Sequence, residues 1–590
     1  MVLRERRSGD ENHAACACSG PRTTATKCAL WTCIARRVAL QGGADVPGWR
    51  STAPPRRVAE RGAPGSIAIL WHSRDKCRTS RTTVSPRGPS RGPAVPHALT
   101  QPSDNSDLTS TSATISRPPA NPGERAKARV LAAEVPARRL LNRYERSWRL
   151  AGGESGERVA DLISVTRRDP ELSALAPSAV ALRETFASVI APVLVAFVEH
   201  VLADCVTHGI AQVAFLARDG QLPYLIAKRI VAARGLPVHA LYVYGSRHAL
   251  HIAGYTDIDT AASWLLEDTH ELSLVDVAQR GELPLELLEQ VAHGHGYLRP
   301  NENISRSRRA GLHAVIRDPR IQAALAAASE RAWPPAHAYY RAAGFAPDTH
   351  VALVDVGWSG RMQCSLGGIL ERGALGPTHI RGHYLCLATR ANLSPHDTLC
   401  GFLHDPARDA GACPFDPYRP VVESALAADH GTTLGFELVA GVATPLLGAP
   451  LDEAAHSIVG HQHATVLSFV AHMLDDEGAR GTPIRWSAAT VREHLRLFLV
   501  APSTTDARAF ERRTHHDGQA DTLRSSLARR LPRGKLLQRR SLGLWPEATY
   551  RLSGAGTLLA LLRVIRVLNT AVLPWLCRIR SRLLRGLHTH

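Results

Sequence analysis

The sequence predicts an α/β fold: a Rossmann-like parallel sheet with a helical insert and a helical C-terminal region, preceded by a disordered N-terminal segment. Three observations predict it. Val213-Ala214-Phe215-Leu216 is an apolar run that enters Ala217-Arg218-Asp219-Gly220 and then a helical pattern. Strands buried on both faces of a parallel sheet read as such runs. A second apolar stretch, His239 to Tyr244, follows after the interval of a strand–helix–strand crossover of ~30 residues. A third, Val351 to Val354, again stops at a polar, Gly-rich loop, Asp355-Val356-Gly357-Trp358-Ser359-Gly360. In open α/β sheets ligands bind outside the carboxyl ends of the strands.

Length and charge narrow the function classes. The chain has 590 residues, 44% of them hydrophobic, and a net charge of +18. That length accommodates about two or three folded units. Residues 1–130 hold 21 Lys/Arg against 9 Asp/Glu, and seven Arg with no acid follow Glu547, so residues 131–547 carry a net charge of −1. A nucleic-acid partner requires a basic face with a recognition motif in the folded part. No such motif occurs in the electrically neutral middle, so nucleic acid is not the expected partner. The 11 Cys have no zinc-site spacing, and Cys16-Ala17-Cys18 is not a CxxC pair. Met1 to Arg7 is not followed by a signal-peptide apolar core. Free thiols and a cytoplasmic location are expected, with attachment to the inner membrane face as an addition.

The elements follow in order. Residues 1–125 are dominated by Arg, Pro, Ser, Thr and Gly, and read as disordered and dispensable to the fold. Residues 126–255 form a helical lead-in and the first half of the α/β domain. Ala126 to Arg149 reads as helix. Ser178 to Cys205 repeats Phe186, Ile190, Val193, Leu194, Phe197 and Val201 at helical spacing. After the first strand, Leu222, Leu225, Ile226 and Ile230 mark a helix stopped by Gly235-Leu236-Pro237. Residues 256–340 read as a helical insert. Residues 341–450 hold the second half of the domain: the third strand, a helix from Arg361 to Glu371, and a fourth strand from His379 to Leu387. Residues 395–450 read as turns and short strands, including Tyr418 to Glu423. Residues 451–553 are helical, over Ala454–Asp475 and Ala488–Leu499. Residues 554–590 are apolar with interspersed Arg, and Arg563, Arg566 and Pro574 argue against a spanning helix. An interfacial helix on an anionic membrane surface, or a helix docked on the core, is expected instead.

Three strand ends converge in this scheme: Arg218-Asp219-Gly220, Ser246-Arg247 and Asp355 to Gly360. Guanidinium groups match phosphate oxygens. Gly-rich loops before helices present N–H groups to anions. Two Asp share a hard cation such as Mg²⁺ readily. Asp219 and Asp355 are therefore the candidate catalytic and metal-binding residues. Arg218, Gly220, Ser246, Arg247, Gly357, Trp358, Ser359 and Gly360 are the candidate phosphate-binding residues. His461-Gln462-His463 and His515-His516 lack metal-pair spacing and read as surface or core histidines.

Leu216-Ala217-Arg218-Asp219-Gly220 resembles the Asp-x-Asp-Gly-Thr signature of haloacid-dehalogenase-type phosphatases. The resemblance implies that Asp219 is the acid/base, Ser246 the hydroxyl after the second strand and Asp355 the late metal-side acid. The nucleophile position is Ala217, so no aspartyl-phosphate can form there. Phe-Leu-Ala-Arg-Asp-Gly, Tyr-Val-Tyr-Gly-Ser-Arg-His-Ala-Leu, Val-Asp-Val-Gly-Trp-Ser-Gly-Arg-Met-Gln and Val-Val-Glu-Ser-Ala-Leu, in this order, resemble a family of haloacid-dehalogenase-like hydrolases associated with bacterial surface-polysaccharide gene clusters. The resemblance covers residues 180 to 550, and the upstream Asp-x-Asp phosphatase domain of longer members has no counterpart in 1–125. It implies a protein that acts on or binds a phosphorylated sugar or nucleotide-sugar, by phosphoester hydrolysis or phosphotransfer. Two alternatives stand beside it: a non-catalytic sugar-phosphate binding module, and a phosphoribosyltransferase-like enzyme. The latter rests on the similarity of Val351 to Gly360 to a ribose-5-phosphate loop, with one acid where two are usual.

Overall fold

The structure, a computed structural model, describes residues 142–169, 177–266, 272–372, 378–516, 524–538 and 541–567. The chain divides into two compact units, 1–93 and 94–590, and all described residues belong to the second. The segment 1–125, most of the lead-in helix before Asn142 and the tail beyond Val567 lie outside the described residues.

Five strands form one parallel sheet: β1 (Gln212–Leu216), β2 (His239–Val243), β3 (His350–Asp355), β4 (His379–Cys386) and β5 (Thr398–His404). Their order is β2-β1-β3-β4-β5. The chain crosses from β1 to β2 on one side, then returns to lay β3 against the other side of β1. The strand order therefore reverses between β1 and β3, which is where doubly wound sheets open a crevice. Register pairs Phe215 with Tyr242 and with Val354, so Leu216 stands level with Asp355. Val213 to Leu216 and Val351 to Val354 are all at most 1% exposed. Burial on both faces explains why these strands carry no polar alternation.

The crossover helices supply the covering layers. Gln221–Arg234 links β1 to β2 and ends at Gly235, whose φ of 60° closes the left-handed cap. Ala191–Thr207, after a π-turn over Phe186–Ile190, is apolar on nearly every side and lies in the main core. The span 179–207 is the one described segment long and apolar enough to cross a membrane, and it is mostly buried within the fold.

The insert has its own core. Trp264, Leu265, Leu274, Val277, Leu288 and Leu312 pack together apart from the main cluster. The helix Pro319–Ala342 joins the two, with Ile321 and Leu325 in the insert core and Tyr339 and Tyr340 in the main one. Its last turn fixes the end of β2. The Tyr340 hydroxyl donates to the Tyr244 carbonyl at 2.6 Å, and Tyr244 N–H donates to the Tyr339 hydroxyl at 3.0 Å.

Residues 398–404, within the stretch read as turns and short strands, form the fifth parallel strand. One reading of the sequence needs correction. Tyr418 to Glu423 is not extended: Arg419–Ala425 is a helix, with Pro420 in its first turn. Pro is favoured there because its fixed φ suits the helix and its missing N–H would have no helical acceptor. The hairpin β6 (Thr433–Val439) and β7 (Val442–Leu447) then folds back on the helix Pro319–Ala342, where Phe436 meets Tyr339 at 4.7 Å. The C-terminal region contributes Glu453–Arg480, Ala488–Val500 and the small hairpin β8 (Thr514–His516) and β9 (Arg524–Ser526). Trp545 anchors it, fully buried, with Nε1 donating to the Leu499 carbonyl at 2.8 Å.

Candidate functional site

The site is built at the carboxyl edge of β1, β3 and β2, and each loop is shaped by a local constraint. After β1 the chain turns so tightly that Gly220 N–H donates to the Leu216 carbonyl at 2.9 Å. A Cβ on Gly220 would stand 2.4 Å from that oxygen, so only glycine fits. The turn leaves Arg218 and Asp219 at the strand end. Gln221, the first residue of the next helix, holds Asp429 from a distant loop: its Nε2 donates to Oδ1 at 2.5 Å, and its Oε1 accepts from Asp429 N–H at 3.0 Å.

After β3, Asp355 is 5% exposed and folds back on its own loop. Its carboxylate accepts the N–H groups of Gly357 and Val356. Gly357 has φ of 22°, and a Cβ there would lie 2.6 Å from Asp355 Oδ2 and from the Tyr384 ring. The loop is braced from β4's side, where Ala388 and Thr389 donate to the Trp358 carbonyl at 2.7 and 3.1 Å and Ala391 donates to the Ser359 carbonyl at 2.7 Å. Gly360, at φ of 79°, caps the helix Arg361–Glu371.

Asp219 and Asp355 stand at the same sheet edge, within electrostatic reach of each other and of a third acid, Glu423. Glu423 projects from the helix Arg419–Ala425. Trp358 Nε1 donates to its Oε1 at 2.9 Å, and His515 Nε2 lies 3.3 Å from its Oε2. Trp358 is thus a buried clamp, not an open stacking face, and the Arg419 guanidinium covers its ring at 5.3 Å. Arg218 and Arg247 bear on Asp219, and Arg247 and Arg419 on Glu423.

These surroundings separate the three acids. Burial, then the charges of Glu423 and Asp355, push Asp219 well above the usual carboxylate range against the pull of Arg218 and Arg247. Burial also raises Asp355, to about 7, although two N–H donors oppose it. Burial would raise Glu423 too, but the His515 hydrogen bond and charge, with Arg247 and Arg419, hold it below its ordinary value. The surroundings therefore favour the ionised form of Glu423 and oppose ionisation of Asp219. Carboxylates forced together divide their protons in this way.

The other residues singled out in the sequence are placed as follows. Ser246 caps the helix Arg247–Ala253: its hydroxyl accepts from Ala249 N–H at 3.1 Å and donates to the Thr433 carbonyl at 2.7 Å. Gly220, Gly357 and Gly360 serve the turns. Ser359 lies between Trp358 and the cap. His463 is buried against the Ala427 carbonyl at 3.3 Å.

Sequence reasoning missed Glu423, Arg419, His430 and His515. His430 pairs with the Tyr242 hydroxyl at 2.7 Å and closes the loop after Asp429 over the β2 side. The Val-Val-Glu-Ser-Ala-Leu stretch contained the signal for Glu423, because a lone acid among apolar residues is an expensive burial that demands partners. His515 read as a surface or core histidine, and nothing in its spacing pointed to the pairing with Glu423.

Among the described residues no set of three His, Cys, Asp or Glu side chains is arranged to hold a metal ion. Glu423 is engaged on both oxygens by side chains, and Asp355 accepts two backbone N–H groups. Mg²⁺ is commonly held by one or two carboxylates together with waters and substrate phosphates, so Asp219 and Asp355 would be the carboxylates offered to it. No protein-family model and no curated protein matches the chain.

Proposed function

We propose that the chain is a haloacid-dehalogenase-like protein that binds a phosphorylated sugar or nucleotide-sugar intermediate of surface-polysaccharide biosynthesis at the β1/β3 edge and acts on its phosphate by hydrolysis or phosphotransfer. One observation carries the reading: Asp219, Asp355 and Glu423 gather at the strand-order reversal with Arg218, Arg247 and Arg419 around them. Acids and guanidinium groups together suit a phosphate with its counter-ion, where either alone would not. The ordered strand-end motifs and their resemblance supply the substrate class.

The residues divide the work. Arg218 and Arg247 bind and orient phosphate oxygens. Asp219 and Asp355 would hold Mg²⁺, which shields the phosphate charge when bound. Ala217 removes the covalent route, so the reaction uses direct attack by water or an acceptor hydroxyl. The N–H groups of Val356 and Gly357 are spent on Asp355, which weighs against a phosphoribosyl loop, since that loop needs its amides for a phosphate. A screen of sugar phosphates and nucleotide-sugars with Mg²⁺, run beside ligand-induced thermal shift, tests the proposal. Release of phosphate or transfer to an acceptor is expected. Thermal shift without turnover would make the chain a binding module. Neither response across the screen would refute the reading.

A further inference from the structure

The groups missed in the sequence form a dyad. Glu423 is held on both oxygens: Trp358 Nε1 donates to one at 2.9 Å, and His515 Nε2 lies 3.3 Å from the other. Trp358 belongs to the loop that carries Asp355. His515 arrives from the far C-terminal region, on β8, and its side chain is 12% exposed. The dyad thus spans the sheet edge and the C-terminal hairpin, and its carboxylate bears electrostatically on Asp219 and Asp355.

An anionic carboxylate beside an imidazole fixes the ring. It accepts the Nε2–H, so the neutral ring carries its proton on Nε2 and leaves Nδ1 as the lone-pair nitrogen. Glu423 is the hydrogen-bonding partner of His515 among the described residues, so Nδ1 is not committed to another described group. Ala217 adds the chemical need. With Ala217 in place of a carboxylate nucleophile at the end of β1, water or an acceptor hydroxyl attacks directly, and either requires a base; hydrolysis is the case taken here.

We propose that His515 is the general base of this site and that Glu423 positions it. The inference rests on the phosphate-site reading above. In the step, His515 Nδ1 takes one proton from water while the water oxygen bonds to phosphorus. The bond from phosphorus to the leaving oxygen breaks, and that oxygen takes a proton from solvent. The products are the alcohol and inorganic phosphate. The imidazolium returns its proton to bulk water, so no oxidant, reductant or second substrate is consumed.

The test uses the full chain with Mg²⁺ and p-nitrophenyl phosphate, whose leaving group departs without protonation, so the assay reads the base alone. His515→Ala should lower turnover about 10²–10⁴-fold, the range of a lost general base. Added imidazole should restore at least tenfold of that loss, and should not stimulate the wild type. Glu423→Gln should lower turnover without imidazole rescue. A folded His515→Ala protein with wild-type turnover, or one that imidazole does not rescue, would overturn the proposal. A second measurement does not depend on turnover. In ¹⁵N-histidine spectra at alkaline pH, the resonance lost in His515→Ala should report the Nε2-protonated tautomer in the wild type, and this preference should fall in Glu423→Gln. The opposite tautomer would refute the dyad. If wild-type protein fails to hydrolyse the probe while the tautomer is as expected, the hydrolytic reading fails and His515 remains a positioned base without that reaction.

Discussion

Asp355→Asn should stabilise the protein at alkaline pH. Asp355 is 5% exposed, and its carboxyl is raised from 3.8 to about 7 by burial first and by Glu423 in addition. The folded state therefore binds this proton more tightly than the unfolded chain does. Its stabilising contribution is complete below about pH 4 and is lost as pH rises through about 7. The full difference corresponds to ~4 kcal/mol at the usual conversion. Local rearrangement and water penetration offset part of it, so about 2 kcal/mol is a working expectation at pH 8. Asparagine keeps an oxygen for the Val356 and Gly357 N–H groups and cannot ionise. The assay is thermal unfolding of wild type and variant in EDTA at pH 5 and pH 8. At about 2–4 °C per kcal/mol for a mid-sized domain, the variant should melt about 4–8 °C above wild type at pH 8 and close to it at pH 5. Such a gain is expected where a residue is retained for function at the expense of stability. A variant that melts below wild type by the same amount at both pH values would refute the reasoning, because Asp355 would then be a structural acceptor alone.

Three further outcomes follow from the geometry. Gly357→Ala should destabilise by about 2 kcal/mol or more in chemical denaturation, because its Cβ would stand 2.6 Å from Asp355 Oδ2 and the Tyr384 ring. Ser246→Ala should cost about 1 kcal/mol through loss of the helix cap and leave phosphate affinity unchanged in a binding titration. Tyr340→Phe removes a buried hydrogen bond to the Tyr244 carbonyl; it should cost about 1 kcal/mol and weaken ligand binding severalfold, since Tyr244 precedes Ser246 and Arg247.

The sheet was legible where burial is complete. Val213–Leu216 and Val351–Val354 have apolar side chains on both faces, and each stops at a charged residue that can reach water. β5 was legible only as a short strand within a stretch of turns, because Thr398, Cys400 and Gly401 interrupt its apolar character. In the fold that glycine is required by packing, with the His404 carbonyl 2.3 Å from where its Cβ would be. The positions of Asp219 and Asp355 followed from strand ends alone. Their third partner did not. Val421 and Val422 gave the Glu423 segment a strand-like character, and tertiary packing overrode that local preference. His515 lies 92 residues beyond Glu423, and the pairing of the two exists only in three dimensions. Ser246 shows the converse: its position was legible, but its hydroxyl is bound to a helix cap and to Thr433, a segment that no local pattern links to it.

The central claim is that the guanidinium groups at the β1 and β2 ends serve one phosphate site with the Asp219–Asp355–Glu423 cluster. Isothermal titration of the full-length protein with inorganic phosphate in the presence of Mg²⁺ tests it most directly. The account predicts one binding event in the wild type, weakened about 10–100-fold by Arg218→Ala and by Arg247→Ala, the range for loss of a charge-assisted hydrogen bond. Phosphate binding that both variants leave unchanged, in proteins that melt like the wild type, would contradict it.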